Sequence, residues 1–459
     1  MRDGVKMLEN IHIFHTNDIH SHFEYWVRMQ HFIKEQRVQY AKLGEPSFLF
    51  DIGDHLDRSN IYTEATVGKG NVKLLNEAQY DVVTIGNNEG ITLSFDDLYN
   101  LYNDADFDVV VANLKPIEGE QPKWLKPYTI LQTKYGTKIG VVGATAIFEA
   151  FYKALNWHVV DPKEKIIEVV NEIKDEVDII LCLSHLGITE DELLANLCPS
   201  IDVIFGAHTH HLFEQGKVIN NVLLTGCGKF GLYTGHLSLQ FDHTTRKVIQ
   251  KKEIAIENAM LPEVNGEGDL ITKLAEQGKQ LLKTPVFETT KFYNKEWFHY
   301  SALSKLFAEA MLDFTQADCT MFNAGIFLDH LKKGTITNYD IHRILPHPIN
   351  VCVIELSGNE LKEVYLQAQN EEWPLLELKG LGFRGTIFGK MLTYQFKMNE
   401  NRELMINGKI ADLNQQYKLA TLDMFTFGYF FPNFKYAKKH YYLPMFLRDI
   451  LVGFVKNKL

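Results

Sequence analysis

In the first half of the chain, several short apolar runs are each followed by side chains that can bind divalent metal ions. Two carboxylates, one carboxamide and four imidazoles occupy such positions, at Asp18, His20, Asp54, Asn87, His185, His208 and His210. Mixed sets of aspartate and histidine suit Zn, Mn or Fe ions. Seven ligands are too many for one tetrahedral site, and they suffice for two ions that share a bridging carboxylate. The residue types therefore indicate a centre of two divalent metal ions.

A pair of such ions has a definite chemistry. Ions ~3.5–4 Å apart can hold both the attacking and the leaving oxygen of an in-line displacement, and they generate hydroxide at neutral pH. This chemistry suits the hydrolysis of phosphate esters. Each motif alone is common, since Gly-Asp often forms turns and Asp-x-His often caps helices. Because the motifs occur together and always after an apolar run, we favour the metal centre over a set of unrelated loops.

The elements that precede these side chains must position them. Seven apolar runs have the length of strands: Ile11–Phe14, Phe48–Phe50, Val82–Ile85, Val109–Val111, Ile139–Val142, Ile179–Leu183 and Val203–Phe205. Such continuous runs are typical of strands covered on both faces. Helical patterns at 163–174 and 190–197 alternate with them, which predicts a layered α/β domain. If the strands share one sheet, the polar side chains converge at the carboxyl ends of the strands.

The pattern changes in the second half of the chain. Strands with turn signals replace the alternation from about residue 222, and a partly charged helical stretch follows from about Leu270 to Lys283. The remainder mixes helices with strands and carries many aromatic residues near its end. We therefore expect a first domain over 8–258, a linker helix over 259–283 and a second, α+β domain over 284–459.

Composition limits the class of protein. The 459 residues carry a formal net charge of −11 without a clear basic patch, which argues against a nucleic acid polymer as partner. No run of ~18 apolar residues predicts a membrane span, and residues 1–9 lack the pattern of a signal peptide. The five cysteines include no CxxC pair, which favours buried thiols in a reducing compartment. We expect a cytoplasmic protein with no membrane partner.

The motifs resemble those of two known families. Asp18-x-His20, Gly53-Asp54, Gly86-Asn87, His185 and Gly206-x-His208-x-His210 resemble the signature of the calcineurin-type metallophosphoesterases. Asn323–Phe327, followed by Gly334–Thr337 and Leu345-Pro346, resembles the C-terminal domain of 5′-nucleotidases. The resemblance covers nearly the whole chain in the domain order of that family. It implies a four-layer α/β/β/α metallophosphoesterase domain followed by an α+β 5′-nucleotidase C-terminal domain.

The resemblance also implies a role for each ligand. One ion would be held by Asp18, His20, Asp54 and His210, and the other by Asp54, Asn87, His185 and His208. Asp54 would bridge the two ions, which agrees with the two acceptor oxygens that its carboxylate offers. The metals implied are two divalent ions, with Mn, Zn and Fe left open.

One catalytic motif departs from the family pattern. The family histidine that stabilises the developing phosphate charge is Asn88 here, and the aspartate that orients it is Ile91. An amide can donate a hydrogen bond but cannot carry a positive charge. Two other histidines, His55 and His211, are candidates to replace the lost imidazole. Each is also compatible with an ordinary loop histidine.

The C-terminal motifs depart further. By position, the implied substrate-binding residues are Asn323, Gly325, Phe327, His347, Asn350, Arg384, Phe425 and Phe427. Phe327 stands where the family has an arginine that grips the substrate, and His347 stands where it has a base-stacking aromatic. Arg343 and Arg384 are the nearest candidates for a replacement cation. Phe425 and Phe427 keep the capacity to stack on a base, and each is also compatible with a core position.

The expected function is a 5′-nucleotidase-like hydrolysis of nucleotides or related phosphomonoesters by metal-bound hydroxide. A cyclic phosphodiesterase and a nucleotide-sugar pyrophosphatase remain open, since both use the same metals on a different bond. A further alternative is a degenerate family member that binds a nucleotide with little turnover. The partner in each case is a small phosphate ester.

Overall fold

The computed structural model describes residues 8–378 and 380–458. Residues 1–7, on which the expectation of no signal peptide partly rests, and Leu459, the last residue of the expected second domain, lie outside the described residues. The described residues form two compact units, one over 8–57 and 62–277 and the other over 58–61 and 278–458. The division falls inside the helix Glu267–Leu281. The mixed α/β class with two domains is confirmed.

The strands of the first unit belong to separate sheets. In the larger sheet the strand order is Lys247–Glu257, Tyr233–Asp242, Leu8–Thr16, Ser47–Asp51, Val82–Val83, Asp108–Val110 and Leu125–Lys126. In the smaller sheet the order is Lys217–Ile219, Val222–Thr225, Val203–Gly206, Ile179–His185, Lys138–Thr145 and Tyr128–Gln132. Leu114–Pro116 pairs separately with Trp157–Val159. The idea of one shared sheet is therefore wrong, because the apolar runs split between these two.

The two sheets pack face to face through alternate side chains of their strands. Ile11 and Ile13 of the larger sheet share a core with Leu181 and Val203 of the smaller one. Phe14, which points to the opposite face because side chains alternate along a strand, meets Phe32 of the helix Trp26–Leu43. Both faces of these strands are thus covered, which explains their continuous apolar sequence.

Helices cover the outer face of the smaller sheet. In the helix Pro162–Ile173, Ile166 and Val170 pack with strand residues such as Ile180. This helix begins where it does because the Asp161 side chain accepts hydrogen bonds from the backbone N–H groups of its first turn. The other α-helices with residues in the first unit are Ile61–Thr66, Lys69–Glu77, Asn87–Thr92, Phe95–Tyr99, Glu149–Ala154 and Ile188–Leu197.

Parallel pairing sets the position of the strand ends. The strand Leu8–Thr16 runs parallel to Ser47–Asp51, which runs parallel to Val82–Val83. In the smaller sheet, Ile179–His185 runs parallel to Val203–Gly206 and to Lys138–Thr145. The carboxyl ends of parallel strands lie at one edge of each sheet, so the polar residues that follow them can meet.

The second unit has its own sheets and core. Its main sheet has the order Met391–Tyr394, Cys319–Asn323, Gln416–Leu422, Asn350–Ser357 and Lys439–Phe446. Smaller sheets pair Pro285–Thr289 with Gly334–Thr337, and Leu404–Ile406 with both Phe396–Met398 and Lys409–Ile410. Its α-helices are Ala302–Thr315, Asn338–Ile344, Gly358–Gln367 and Leu447–Lys458. Leu303, Phe307 and Met311 of the first of these helices are buried in the core of this unit.

The cysteines and the helices bear on the expected environment. All five cysteines are buried free thiols. Within the described residues, no helix combines the length and the apolar character that crossing a lipid bilayer requires.

Candidate metal centre

Each of the seven predicted ligands lies at the end of a strand of the first unit or in the loop or helix that follows it. Asp18 and His20 come after Leu8–Thr16, Asp54 comes after Ser47–Asp51, and Asn87 begins a helix a few residues after Val82–Val83. In the smaller sheet, His185 ends the strand Ile179–His185. His208 and His210 follow the strand Val203–Gly206. The ligands therefore come from both sheets.

One group of ligand atoms gathers around Asp18. Its Oδ1 atom lies 3.7 Å from His20 Nε2 and 3.5 Å from His210 Nε2. The two imidazole nitrogens lie 3.2 Å from each other. Asp18, His20 and His210 thus form a set whose donor atoms are close enough to share one cation.

A second group is centred on Asp54. Its Oδ2 atom lies 3.5 Å from His185 Nε2 and 3.7 Å from His20 Nε2. Asp18, Asp54 and His185 form a further set that could hold a cation. Asp54 Oδ2 thus lies near His20 of the first set and His185 of the second, and Asp18 belongs to both sets.

Several atoms of these groups are buried without a hydrogen-bond partner among the described residues. They are Asp18 Oδ1 and His185 Nε2, and Oδ1 of Asn87, the predicted ligand that belongs to neither group, is buried and unpartnered as well. Buried polar atoms are normally paired, because leaving one unpaired costs about 1–3 kcal/mol. A divalent cation bound by these groups would satisfy both Asp18 Oδ1 and His185 Nε2. The residues present therefore fit the metal ions that the sequence implies.

The pKa values of two of the histidines also indicate a site for a cation. Burial opposes protonation of His185, but the neighbouring carboxylates of Asp54 and Asp18 outweigh it and raise the pKa of this imidazole to about 10. The carboxylates thus strongly favour positive charge at this point. Burial and His185 together lower the pKa of His208 to about 4, so that its ring is neutral at pH 7. A neutral imidazole is the form that binds a metal.

His208 lies beside His185 and is tied to Asp18 through its backbone. The two imidazole rings have centroids 5.3 Å apart. The backbone N–H of His208 donates to Asp18 Oδ2 at 3.1 Å. The structure thus brings all the predicted histidine ligands to one place.

The backbone at five of the predicted ligands is strained. Asp18, His20, Asp54, His208 and His210 all have positive φ angles, between 49° and 71°. Such a conformation costs a non-glycine residue about 1–3 kcal/mol and tends to cluster at functional sites. The fold therefore accepts unfavourable backbone geometry to direct these side chains inward.

Glu89 supports the ligand loops, and it is absent from the ligand set read from the sequence. Its carboxylate accepts hydrogen bonds from the backbone N–H groups of Asp54 (2.9 Å), Leu56 (3.0 Å) and Gly86 (2.8 Å). It thereby joins the loop after one strand to the loop after the next. A sequence signal was available, because a glutamate in the first turn of a helix often accepts from the N-cap residue.

Asn17 is a second supporting residue that the motifs do not reveal. Its side-chain amide donates to Asp18 Oδ2 at 2.7 Å and to the carbonyl of Gly228 at 2.8 Å. Its oxygen accepts from the backbone N–H of Cys227 at 2.9 Å. Asn17 therefore fixes the orientation of the Asp18 carboxylate.

Asn88 orients His20 in this structure. The Asn88 Nδ2 atom lies 2.8 Å from His20 Nδ1 and donates to the carbonyl of Leu56 at 3.1 Å. The backbone N–H of Asn88 donates to Asp54 Oδ1 at 2.7 Å. The Asn88 side chain is thus held between the His20 ring and the Leu56 carbonyl, so Asn88 supports a ligand instead of taking over the charge of the missing imidazole.

His55 is poorly placed to replace the missing imidazole. Its ring is buried edge-on against Trp26, with centroids 5.2 Å apart. Burial lowers its pKa to about 3, so the ring is neutral near pH 7 and lacks the positive charge that would stabilise a phosphoryl group.

His211 is likewise engaged in structural contacts. Its Nδ1 atom lies 3.0 Å from the Thr209 hydroxyl, and its Nε2 atom lies 3.3 Å from the Thr225 carbonyl. Burial lowers the pKa of this half-buried ring.

We expect His211→Gln, which keeps a donor for the Thr225 carbonyl, to change kcat less than tenfold in a steady-state assay. A loss of about a hundredfold, the size of one charge-stabilising group, would instead identify His211 as the replacement.

The expected substrate contacts in the second unit need correction. Phe327, His347 and Phe425 are fully buried in its core. His347 Nε2 donates to the Ile326 carbonyl at 2.8 Å, and its Nδ1 accepts from the backbone N–H of Arg384 at 3.0 Å. These side chains therefore have structural roles, because no face of them is exposed to a ligand.

Two polar positions and a glycine in the same set are buried as well. The Asn323 side chain donates to the Phe388 carbonyl at 2.7 Å, and the Asn350 side chain donates to the Met445 carbonyl at 2.9 Å. A Cβ added at Gly325 would lie 2.1 Å from the Ile387 carbonyl oxygen. The set that stays available for contact consists of Phe427, which is 42% exposed, and the half-buried Arg384.

The buried Asp423 predicts a pH effect on the stability of the second unit. Its Oδ2 accepts from the backbone N–H of Asn350 at 3.0 Å, and burial raises its pKa to about 7. The folded state therefore keeps a proton that the unfolded chain loses near pH 4. The resulting stabilisation is complete below pH ~4 and is lost as the pH rises through ~7, by at most about 4 kcal/mol.

Urea unfolding of wild type and Asp423→Asn between about pH 4.5 and 7.5 measures this effect. The difference in unfolding free energy between the two proteins should shift steadily in favour of the variant as the pH rises. Asp412→Asn, at an exposed position, serves as the control. A difference that stays constant with pH would show that Asp423 is ionised in the folded protein.

Comparison with known proteins bears on both units. The sequence pattern of the calcineurin-like phosphoesterases matches residues 11–212, and that of the 5′-nucleotidase C-terminal domain matches residues 281–431. The uncharacterized metallophosphoesterase YunD of Bacillus subtilis (strain 168) is 40% identical, over 97% of this chain and 99% of its own length.

Solved structures show the same two-domain fold. A putative 5′-nucleotidase from Staphylococcus aureus superposes with a TM-score of 0.70 at 18% identity, covering 98% of this chain and 97% of its own. A 5′-nucleotidase precursor from Thermus thermophilus gives a TM-score of 0.60 at 20% identity, covering 98% of this chain and 96% of its own.

Proposed function

Because the chain belongs to the calcineurin-like metallophosphoesterases that carry a 5′-nucleotidase C-terminal domain, we propose that it hydrolyses nucleotides or related phosphomonoesters at two divalent ions. The family consists of hydrolases that act on phosphoester bonds. The observation that carries the finer proposal is the convergence of Asp18, Asp54 and His185, with Asp18 Oδ1 and His185 Nε2 buried and unpartnered.

We assign the ligands as the motifs imply. Asp18, His20, Asp54 and His210 would hold one ion, and Asp54, Asn87, His185 and His208 the other. Bound divalent ions would supply the nucleophilic hydroxide and the stabilisation of charge on the phosphoryl oxygens. The mixture of carboxylate, amide and imidazole donors is compatible with Mn, Zn or Fe.

The protein contributes mainly by holding these donors rigidly. Glu89 fixes the backbone of the Asp54 loop, and Asn88 fixes the ring of His20. Supporting bonds of this kind are typically worth 10–100-fold in metal affinity or activity. Since neither Asn88 nor His55 carries a positive charge near pH 7, we expect turnover to depend strongly on the leaving group.

The remaining proposals concern substrate contacts and location. Phe427 and Arg384 are the candidates that the second unit offers, the first for stacking on a base and the second for an anionic group. The five buried free thiols are compatible with a reducing, cytoplasmic environment.

A substrate panel with controlled metal content tests the function. Protein stripped with a chelator should lose turnover of p-nitrophenyl phosphate and of nucleoside 5′-monophosphates, and adding back Mn²⁺, Zn²⁺ or Fe²⁺ should restore it. Monoesters should be turned over faster than bis(p-nitrophenyl) phosphate, cyclic nucleotides and nucleotide sugars.

The other outcomes select the alternatives. Faster turnover of cyclic nucleotides or nucleotide sugars would indicate a phosphodiesterase or a pyrophosphatase. Calorimetric binding of a nucleotide without phosphate release, in protein shown to hold metal, would indicate a binding protein. Turnover that is insensitive to chelation would contradict the metal centre itself.

A further inference from the structure

A second cluster of ligating side chains lies in the first unit, and it contains a cysteine. We propose that His15, Cys227 and Glu253 form a structural Zn²⁺ site, separate from the centre built on Asp18 and Asp54. One ligand atom of each side chain lies within 4.8 Å of the others, and all three residues are buried. The residues occur in none of the motifs that point to phosphoester hydrolysis.

The larger sheet brings His15 and Glu253 together across a strand. His15 lies on Leu8–Thr16 and Glu253 on Lys247–Glu257, and the strand Tyr233–Asp242 lies between them. The partner of His15 in the middle strand is Gly235. The His15 ring points toward the smaller sheet, where it meets Phe205 edge-on at 4.8 Å.

Gly235 makes this contact possible. A Cβ added at this position would lie 1.9 Å from His15 Nε2. Because the middle strand has no side chain here, the imidazole passes over it, and its Nε2 lies 2.9 Å from Glu253 Oε1. The contact between His15 and Glu253 thus depends on a glycine at position 235.

Cys227 reaches the cluster from a loop after a strand of the smaller sheet, Val222–Thr225. Its Sγ atom lies 3.5 Å from His15 Nδ1 and 3.9 Å from His15 Nε2. The backbone N–H of Cys227 donates to Asn17, the residue that orients the Asp18 carboxylate. An ion here would therefore fix the loop that supports Asp18.

The donor types and charges fit zinc. Imidazole nitrogen, thiolate sulfur and carboxylate oxygen are the ligands that Zn²⁺ takes in proteins. A thiolate and a carboxylate together balance a divalent cation, and a buried charge without such a balance is strongly destabilising. Glu253 Oε2 is buried and has no hydrogen-bond partner among the described residues. It supplies the fourth donor of a tetrahedral site when the carboxylate binds through both oxygens.

The competing interpretation is a buried ion pair between a protonated His15 and Glu253. Their contact of 2.9 Å would satisfy such a pair. That interpretation leaves Glu253 Oε2 without a donor, and it uses Cys227 only as a weak acceptor for the Nδ1–H of His15. The zinc site accounts for both features with the same residues.

Replacement by cobalt tests the proposal without reference to activity. A thiolate bound to Co²⁺ gives a charge-transfer absorption in the near ultraviolet, and the ligands assigned to the Asp18–Asp54 centre include no sulfur. Full-length protein is stripped with a chelator, reloaded with Co²⁺ and examined by absorption and by elemental analysis. We expect the thiolate band together with a third equivalent of metal, and we expect added Zn²⁺ to abolish the band.

Matched cysteine variants identify the thiolate. Cys227→Ser should lose the band and the third equivalent, whereas Cys198→Ser, at another buried cysteine of the same unit, should keep both. Wild type that binds two equivalents without the band overturns the proposal, and so does a band that persists in Cys227→Ser. The wild-type spectrum decides the matter even where a variant fails to fold, and loss of the third equivalent in Glu253→Gln is an independent check.

Discussion

We expect Asp54→Asn to lower kcat/KM for a phosphomonoester by on the order of a thousandfold. The Asp54 carboxylate lies between His185 and His20, at 3.5 Å and 3.7 Å from their Nε2 atoms. An amide removes the negative charge that both proposed ions would share. If this charge is worth about 4 kcal/mol in the transition state, the loss corresponds to roughly a thousandfold in rate. A steady-state assay with saturating Mn²⁺ measures it.

Asp191→Asn is the matched control for this variant. Asp191 is a buried carboxyl that accepts from the Ser184 hydroxyl, and burial raises its pKa to about 8. It is therefore neutral at pH 7, and an amide of the same shape should leave kcat/KM within a few-fold. Asp54→Asn that keeps more than a tenth of the wild-type activity would refute the bridging role of Asp54.

Gly53→Ala should impair both stability and turnover. Gly53 has a φ of +84°, and an added Cβ would lie 2.3 Å from the backbone nitrogen of Gly86. The left-handed backbone costs alanine about 1–2 kcal/mol, and relieving the clash costs about 1–3 kcal/mol more. The loops that carry Asp54 and Asn87 must then move apart. A displacement near 1 Å at such a site can lower activity about a hundredfold.

Gly119→Ala is the control that separates the cost of the left-handed backbone from the cost of the clash with Gly86. Gly119 has nearly the same φ, +87°, but nothing lies within 4 Å of its added Cβ. Urea unfolding should show a loss of about 1–2 kcal/mol for this control and a clearly larger loss for Gly53→Ala. Turnover should fall only in Gly53→Ala. Equal losses in the two variants would show that the close approach of the two loops has no role in the site.

Much of the first unit could be predicted from local sequence. The helix predicted over 163–174 is observed as Pro162–Ile173, because Asp161 and Pro162 mark its start. The apolar runs predicted strands, although Val82–Ile85 yields only the strand Val82–Val83 before the loop held by Glu89. The division of the strands between sheets was not predictable, since an apolar run does not specify its neighbour.

The candidate site, too, could be predicted only in part from local sequence. The ligands stand in short motifs after strands, so their convergence could be anticipated from the sequence. The burial of His347 could not, because it depends on Ile326 and Arg384, which lie 21 and 37 residues away along the chain. The cluster of His15 and Glu253 joins residues 238 positions apart and has no local signal.

The proposed ligands come from both sheets of the first unit, with Asp18, His20, Asp54 and Asn87 following strands of the larger sheet and His185, His208 and His210 at the ends of strands of the smaller one. An ion held by both sets would link the two sheets that pack against each other in the core. Release of the ion would therefore lower the stability of the first unit as well as abolish activity. Each tenfold rise in free metal above the dissociation constant adds about 1.4 kcal/mol to the free energy of unfolding. Scarcity of the metal would thus reduce the amount of intact protein along with its turnover.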